Sequence, residues 1–166
     1  AAMAITEPSC GSDSAAIRTT AVKDGDDYIL NGEKIYVTAG ARAECVVVWA
    51  TLDKSLGKAA IKSFVVEHGT PGMEVTRLEH KLGIKASDTA AILFSNCRVP
   101  AANLLGSPEI DLKKGFAGVM ETFDNTRPLV AAMAVGVAAA SIERLKELLA
   151  GHIDANYGTL PLNASH

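Results

Sequence analysis

The chain has 166 residues, of which 48% are hydrophobic and 21% are charged, and its formal net charge is -3 at pH 7. This composition is typical of a folded globular domain and excludes a disordered or fibrous chain. A weakly acidic chain without a run of basic residues cannot neutralise many phosphates, so nucleic acid is excluded as an expected partner.

Short β-type runs recur between turn signals from residue 17 to residue 99, and we predict six or seven strands. The first run ends at the turn sequence DGDD, and the second carries Asn31-Gly32, the dipeptide most favoured in tight hairpin turns. These two features predict antiparallel neighbours. Because no helix intervenes, the pattern predicts a β-barrel or an orthogonal β-sandwich. The runs cover residues 17–23, 28–37, 44–51, 61–67, 72–79 and 89–100, and the continuously apolar pair 44–51 and 61–67 should form the core.

The segment from Lys113 to Ala150 repeats apolar residues every three or four positions, which predicts a helix about 57 Å long if it is continuous. Pro128 removes an interior hydrogen bond and disfavours helical geometry at Arg127, so we expect one kinked helix rather than two. Residues 151–166 lose this period and are expected to form a loop or a frayed end. The domain prediction is a β-barrel domain over residues 1–108 and the start of a helical domain over residues 109–166.

The stretch TEPSCGSD, residues 6–13, combines a carboxylate, a proline, a thiol and small hydroxyl residues. Its local chemistry favours a polar turn, because proline fixes φ and serine and aspartate bond to nearby N–H groups. The alternative is a concavity of backbone N–H groups suited to a phosphate or another polar ligand. Neither Ser12 nor Cys10 has a local histidine or a GxSxG elbow, so nucleophilic catalysis is disfavoured.

Cysteine usage and hydropathy indicate the surroundings of the chain. Cys10, Cys45 and Cys97 are widely spaced and form no CxxC motif, which indicates a reducing compartment, either the cytoplasm or the mitochondrial matrix of a eukaryote. The longest apolar stretch, between Arg127 and Glu143, is shorter than the ~20 residues of a membrane span, so no transmembrane segment is predicted. The chain begins without methionine and without a signal peptide, and we expect it to be part of a longer protein.

Four segments together resemble the acyl-CoA dehydrogenase family of flavoproteins. AITEPSCGSDSAA resembles the signature that begins the family's middle β-domain, and YILNGEKIYVTAGARAE resembles its N-G-x-K-x-aromatic-[IV]-T segment. KLGIKASDTAAILFSNCRVPAANLLG resembles the family's last β segment, and KKGFAGVMETFDNTRPLVAAMAVGVA resembles the start of its C-terminal helical domain. The segments occur in the family's order and spacing over about residues 1–150.

The resemblance implies a binding site for FAD on the β-domain. Thr6 would bond the pyrimidine end of the flavin, Tyr36 would lie against the ring, and Thr38 would bond flavin N5. Ser12 would lie where the flavin meets the acyl-CoA thioester. For Tyr36 and Thr38 the alternative is an ordinary aromatic and threonine pair of a strand. The implied cofactor contacts are Met3, Ile5, Thr6, Gly11, Ser12, Tyr36, Val37 and Thr38.

The resemblance also implies substrate contacts at Ser12, Asp124 and Arg127, although the last two could form a simple surface ion pair of about 0.5 kcal/mol. Thr126 stands where some branches of the family carry the catalytic glutamate, so the chain is expected to lack the catalytic base. Glu7 is expected to hold the flavin loop through backbone hydrogen bonds. The tail also lacks the arginine of the family's R-x-x-F-G segment, which reaches the FAD of a neighbouring subunit.

The resemblance implies FAD-dependent α,β-dehydrogenation of an acyl-CoA thioester in fatty acid β-oxidation, with this chain alone inactive. Its implied partners are an acyl-CoA substrate, an electron-transfer flavoprotein and further copies in a homo-oligomer. The alternatives are an acyl-CoA oxidase and a non-catalytic β-domain that binds a ligand or partner through an apolar face.

Overall fold

The computed structural model describes residues 1–112 and 117–150 and divides into two compact units, of which the first is Ala1–Ala117. This first unit is built on one sheet of eight strands, in the order β6-β7-β3-β2-β4-β5-β8, with β1 paired to β4. Its described helical turns are short 3-10 segments, so the predicted β class is confirmed. The strands are β1 (Ala2–Ala4), β2 (Thr20–Asp24), β3 (Asp27–Thr38), β4 (Cys45–Thr51), β5 (Ile61–Glu67), β6 (Met73–Leu78), β7 (Thr89–Pro100) and β8 (Leu104–Leu105).

Neighbouring strands are antiparallel, except that β4 pairs in parallel with β1 and with β2. The six predicted runs all correspond to strands. The two strands that sequence analysis missed, β1 and β8, have three and two residues, which is too short for a period of two to be recognised. The predicted antiparallel neighbours are β2 and β3, which meet at the turn between Asp24 and Asp27.

The prediction of a hairpin turn at Asn31-Gly32 is wrong, because β3 continues through both residues. The pairing of β3 with β7 shifts register between Leu30 and Gly32, which marks a bulge. Asn31 accepts a hydrogen bond from the backbone N–H of Asn96 through Oδ1 at 2.8 Å. Gly32 lies so close to Thr19 that an added Cβ would stand 2.4 Å from Thr19 Oγ1. The pair therefore serves close backbone approach rather than a turn.

The core lies along β3, β4, β5 and β7 and contains the side chains predicted to be central. Five of the seven residues of β4 are buried, and the rings of Tyr28 and Phe64 meet edge to face with centroids 5.0 Å apart. One buried side chain is unexpected: Lys34 in β3 has no exposed surface and is among the largest fully buried residues. An ammonium in such a position requires partners that compensate for the loss of water.

The described part of the second unit, which begins at Gly118, is a single helix, α1 (Ala117–Ala150), with Pro128 inside it. The prediction of one helix rather than two is therefore confirmed, whereas the kink stays a prediction. The expected start of the helix at Lys113 and the expected loop of residues 151–166 lie outside the described residues. By length and composition Asp124–Ala150 could cross a membrane. The core helix of a soluble protein passes the same test, so this is weak evidence against the prediction of no transmembrane segment.

The contact between Gly32 and Thr19 generates the first prediction. Gly32→Ala should force Thr19 away from β3, and we expect the free energy of unfolding to fall by about 2 kcal/mol, as for other overpacked core sites. The measurement is urea denaturation of the purified protein. Gly83→Ala is the matched control, because an added Cβ there meets nothing within 4 Å. Equal stability of the two variants would contradict the assigned packing.

Candidate functional site

The segment that carries TEPSCGSD is fixed to β3 by a buried ion pair. Lys34 Nζ donates to Glu7 Oε1 at 2.8 Å and to the Ile5 carbonyl oxygen at 3.1 Å. The side chains of Lys34 and Glu7 are 0% and 4% exposed. Water therefore cannot replace these bonds, and the pair joins residues that are 27 positions apart in the sequence.

The Glu7 carboxylate also binds the chain that follows the turn. Oε2 accepts a hydrogen bond from the Arg18 N–H at 2.8 Å, and Oε1 accepts one from the Thr19 N–H at 2.9 Å. Thr19 in turn accepts from the Thr51 N–H at 2.8 Å, which connects this stretch to β4. The expectation that Glu7 holds the loop through backbone hydrogen bonds is confirmed.

Burial and the charges of this pair shift the pKa values of its members and of Cys10. Burial alone would raise the pKa of Glu7, but the hydrogen bond and charge of Lys34, together with hydrogen bonding from Thr19, outweigh it and place that pKa below its ordinary value of 4.5. Burial lowers the pKa of Lys34 against the opposing effect of Glu7. Burial and the negative charge of Glu7 raise the pKa of Cys10, which keeps it a thiol and argues against a nucleophilic role.

The stretch TEPSCGSD forms a polar turn, as its local chemistry predicts. Glu7 and Cys10 exchange backbone hydrogen bonds in both directions, at 2.9 and 3.2 Å. The turn presents Gly11 and Ser12 at the surface, and an added Cβ on Gly11 would lie 3.7 Å from Thr6 Cγ2. Thr6 and Gly11 are thus neighbours. The short helical turn Ser14–Ala16 comes shortly after Gly11 in the same loop.

Tyr36 is held outward at a second bulge of β3. The Thr6 carbonyl oxygen accepts from the Ile35 N–H at 2.9 Å, so Tyr36 follows directly on the residue that binds Thr6. The register of β3 against β7 shifts between Lys34 and Val37, and Tyr36 has a φ of +57°. A bulky residue in this left-handed region costs ~1–2 kcal/mol. Tyr36 as a residue is nevertheless 62% exposed, so packing within this unit does not explain the strain.

The remaining predicted cofactor residues divide by exposure. Met3 is exposed on β1, and Thr38 is exposed at the end of β3. The side chains of Ile5 and Val37 are 8% and 0% exposed, so they pack inward and only their backbone could contact a ligand. The structure thus brings Thr6, Gly11, Ile35 and Tyr36 together along one edge, which we call the Thr6 edge.

Asp124 and Arg127 lie in the second unit, on α1. Arg127 Nη1 stands 3.2 Å from Asp124 Oδ1, and both side chains are exposed. This geometry is that of the surface ion pair considered as the alternative, and their assignment to a substrate site stays a prediction.

Sequence reasoning missed Lys34, which organises the whole site. A signal was present, because Lys34 continues the alternate positions of Tyr28 and Leu30 in the predicted run 28–37, and a lysine on such a face is seldom buried unless it is paired. Its partner Glu7 was recognised as a loop holder, but spacing alone could not connect the two residues. Their contact is tertiary, because Glu7 lies on a loop and Lys34 lies on β3, 27 positions away.

The Thr6 edge fits the chemistry of a flavin. A flavin offers a flat ring face and a pyrimidine edge of carbonyl oxygens and nitrogens, and the protein offers an exposed aromatic ring beside hydroxyl and N–H groups. Among the residues that the structure describes, no group of three or more His, Cys, Asp or Glu side chains could hold a metal ion. The hydroxyl groups of Thr6, Ser12 and Thr38 and the ring of Tyr36 are the groups that could contact a flavin.

Comparison with known proteins agrees with this fit. Residues 2–97 match the family model described as acyl-CoA dehydrogenase, middle domain. The chain is 42% identical over 144 residues to acryloyl-CoA reductase (NADH) of Anaerotignum propionicum, which covers 86% of this chain and 36% of that protein. The chain spans about a third of the length of the curated relatives it matches.

Solved structures have the same fold. Butyryl-CoA dehydrogenase from Megasphaera elsdenii matches with a TM-score of 0.81 and 41% identity, covering 88% of this chain and 37% of that one. A structure described as the electron transferring flavoprotein of Acidaminococcus fermentans matches with a TM-score of 0.77 and 46% identity, covering 83% of this chain and 35% of that one.

The lowered pKa of Glu7 generates the second prediction. A carboxyl group whose pKa is lower in the folded state stabilises the protein above its unfolded pKa and loses that effect as the pH falls. Glu7→Gln should therefore cost about 3 kcal/mol at pH 7, and the difference from wild type should narrow below pH 4.5. Urea denaturation between pH 3 and pH 7 measures it. Glu74→Gln removes an exposed carboxylate as the control, and an equal pH-dependent difference in both variants would contradict the assignment.

Proposed function

We propose, because this chain belongs to the acyl-CoA dehydrogenase family, that the whole protein catalyses FAD-dependent α,β-dehydrogenation of an acyl-CoA thioester. The observation that carries the proposal is Tyr36, the strained and exposed aromatic residue of the Thr6 edge. Strain of this kind persists where the surrounding structure over-determines it, and it concentrates at ligand sites. The 42% identity to a relative named for an acyl-CoA reaction supports the substrate class.

Residues of the β-domain would bind and orient the cofactor. Thr6 would hydrogen-bond the pyrimidine end of the ring, Tyr36 would cover a ring face, and the Thr38 hydroxyl would donate to the nitrogen where electrons arrive. The chemistry that bound FAD would supply is acceptance of the hydride that leaves Cβ of the acyl group. A donor fixed at that nitrogen stabilises the negative charge that arrives with the electrons. Met3, Gly11, Ser12 and the backbone of Ile5 and Val37 complete the proposed contacts.

On the β-domain, Ser12 would contact the acyl thioester. For Asp124 and Arg127 on α1, a substrate contact rests on the family resemblance alone. A base must remove a proton from Cα while the hydride leaves Cβ. We assign this base to no residue of the chain, since Glu7 is committed to Lys34 and to two backbone N–H groups. The proposal therefore makes the whole protein, and not this chain alone, the active unit.

The electron acceptor and the assembly belong to the same proposal. Similarity to a chain from a structure described as an electron transferring flavoprotein supports such a flavoprotein as the acceptor. A homo-oligomer would provide the second subunit that reaches the cofactor. Cys10, Cys45 and Cys97 are free, which supports a reducing compartment, either the cytoplasm or the mitochondrial matrix.

The dehydrogenation proposal predicts a visible reaction. The full-length protein should purify yellow, and its flavin absorbance should fall when an acyl-CoA is added under inert gas. Butyryl-CoA is the probe, because the fold matches a butyryl-CoA dehydrogenase. A colourless protein that takes up no FAD would contradict the proposal. Rapid recovery of the absorbance in air, with hydrogen peroxide released, would instead indicate an acyl-CoA oxidase.

Tyr36 allows stability and binding to be separated. Tyr36→Gly removes the strain of a positive φ, and we expect this gain to offset the ~1 kcal/mol entropic cost of glycine, leaving the stability nearly unchanged. The same change removes the ring, so the Kd for FAD should rise roughly 3- to 10-fold. Fluorescence titration of the full-length apoprotein measures it. Tyr36→Trp is the control that keeps an aromatic face. Unchanged FAD affinity in Tyr36→Gly would contradict the role of the ring.

A further inference from the structure

We propose that Lys34 is a positioning residue for the cofactor, which fixes the Ile5–Thr6 peptide so that the Thr6 N–H faces the flavin edge. This inference rests on the proposed function and concerns a residue that never touches the flavin itself. It gives the buried ammonium a task beyond holding the fold together.

The hydrogen bond from Lys34 to Ile5 sets the direction of the Ile5–Thr6 peptide. Lys34 Nζ cannot donate to water instead, because it is fully buried, and it donates to the Ile5 carbonyl oxygen at 3.1 Å. In a planar trans peptide the carbonyl and the following N–H point in opposite directions. The Ile5 carbonyl therefore points to Lys34, and the Thr6 N–H points away from it.

Thr6 is fixed on both sides by β3. Its own carbonyl oxygen accepts from the Ile35 N–H at 2.9 Å, next to Lys34 in the sequence. Glu7, which follows Thr6, is held by Lys34 and by the N–H groups of Arg18 and Thr19. The peptide before Thr6 and the residue after it thus share one ammonium, and neither can rotate without breaking a buried bond.

The Thr6 N–H is the donor that these hydrogen bonds do not use. Among the described residues, none accepts a hydrogen bond from the Thr6 N–H. Partly buried backbone donors are rarely left without an acceptor, so this one is available to a ligand. It belongs to Thr6, whose carbonyl oxygen is bound by Ile35, the residue before Tyr36. A fixed N–H aimed at the carbonyl oxygens of a flavin stabilises the negative charge of the reduced ring at no cost of reorganisation.

Lys34→Met in the full-length protein tests the inference. The Ile5 carbonyl would lose its donor, so we expect the Kd for FAD to rise about tenfold and the midpoint potential of bound FAD to fall. Fluorescence titration gives the Kd, and spectroelectrochemistry gives the potential. Val99→Ala is the matched control, because Val99 is 1% exposed and pairs with Tyr28 at the opposite end of β3. This control should lose stability while keeping the wild-type flavin potential.

A second variant guards against misfolding. Lys34→Met leaves Glu7 charged and buried, whereas the double change Glu7→Gln with Lys34→Met leaves no unpaired charge and still deprives the Ile5 carbonyl of its ammonium. Circular dichroism checks the fold of each. A folded variant with the wild-type Kd and potential would overturn the inference, and failure of both to fold would reduce Lys34 to a structural role and overturn it too. A wild-type protein that binds no FAD would overturn the proposed function itself.

Discussion

The buried ion pair of Glu7 and Lys34 is the interaction on which the rest of the structure depends. Such a pair is a poor source of stability by itself, because desolvation of two charges offsets most of their attraction. Its value lies in what the two side chains connect. Residues 5–19 contain no strand and only one short helical turn, so their backbone groups lack the partners that a sheet supplies. Glu7 and Lys34 satisfy three of those groups from inside the core.

This arrangement explains why an irregular loop can serve as an exact template. β3 pairs with β2 on one side and with β7 on the other, and it carries Lys34 inward and Tyr36 outward within three positions. The bulge between Lys34 and Val37 permits both directions at once. At the other bulge, Gly32 lets Thr19 approach β3, and the Thr19 N–H donates a hydrogen bond to Glu7. The bonds of Lys34 and Ile35 hold the chain before Tyr36, and the pairing of Val37 with Ala90 holds it afterwards. These contacts maintain the strain at Tyr36.

Much of the fold could be predicted from the sequence, and its limits have physical causes. The alternating and continuously apolar runs located six strands, because side-chain burial has a period that local sequence reveals. Asn31-Gly32 misled the prediction, since the dipeptide that suits a hairpin also suits a bulge where another strand approaches closely. The turn at Glu7 and its role as a loop holder followed from local chemistry and the family resemblance. The partner of Glu7 did not, because a contact across 27 residues is decided by tertiary packing. Roles that involve α1 stay predictions.

The central claim is that Glu7 and Lys34 act as one unit, and a double-mutant cycle tests it most directly. Glu7→Gln, Lys34→Met and the double variant would be compared with wild type by urea denaturation at pH 7. We expect the double variant to lose less free energy of unfolding than the two single variants lose together, with a coupling free energy of about 2–3 kcal/mol. Additive losses, with a coupling near zero, would contradict it.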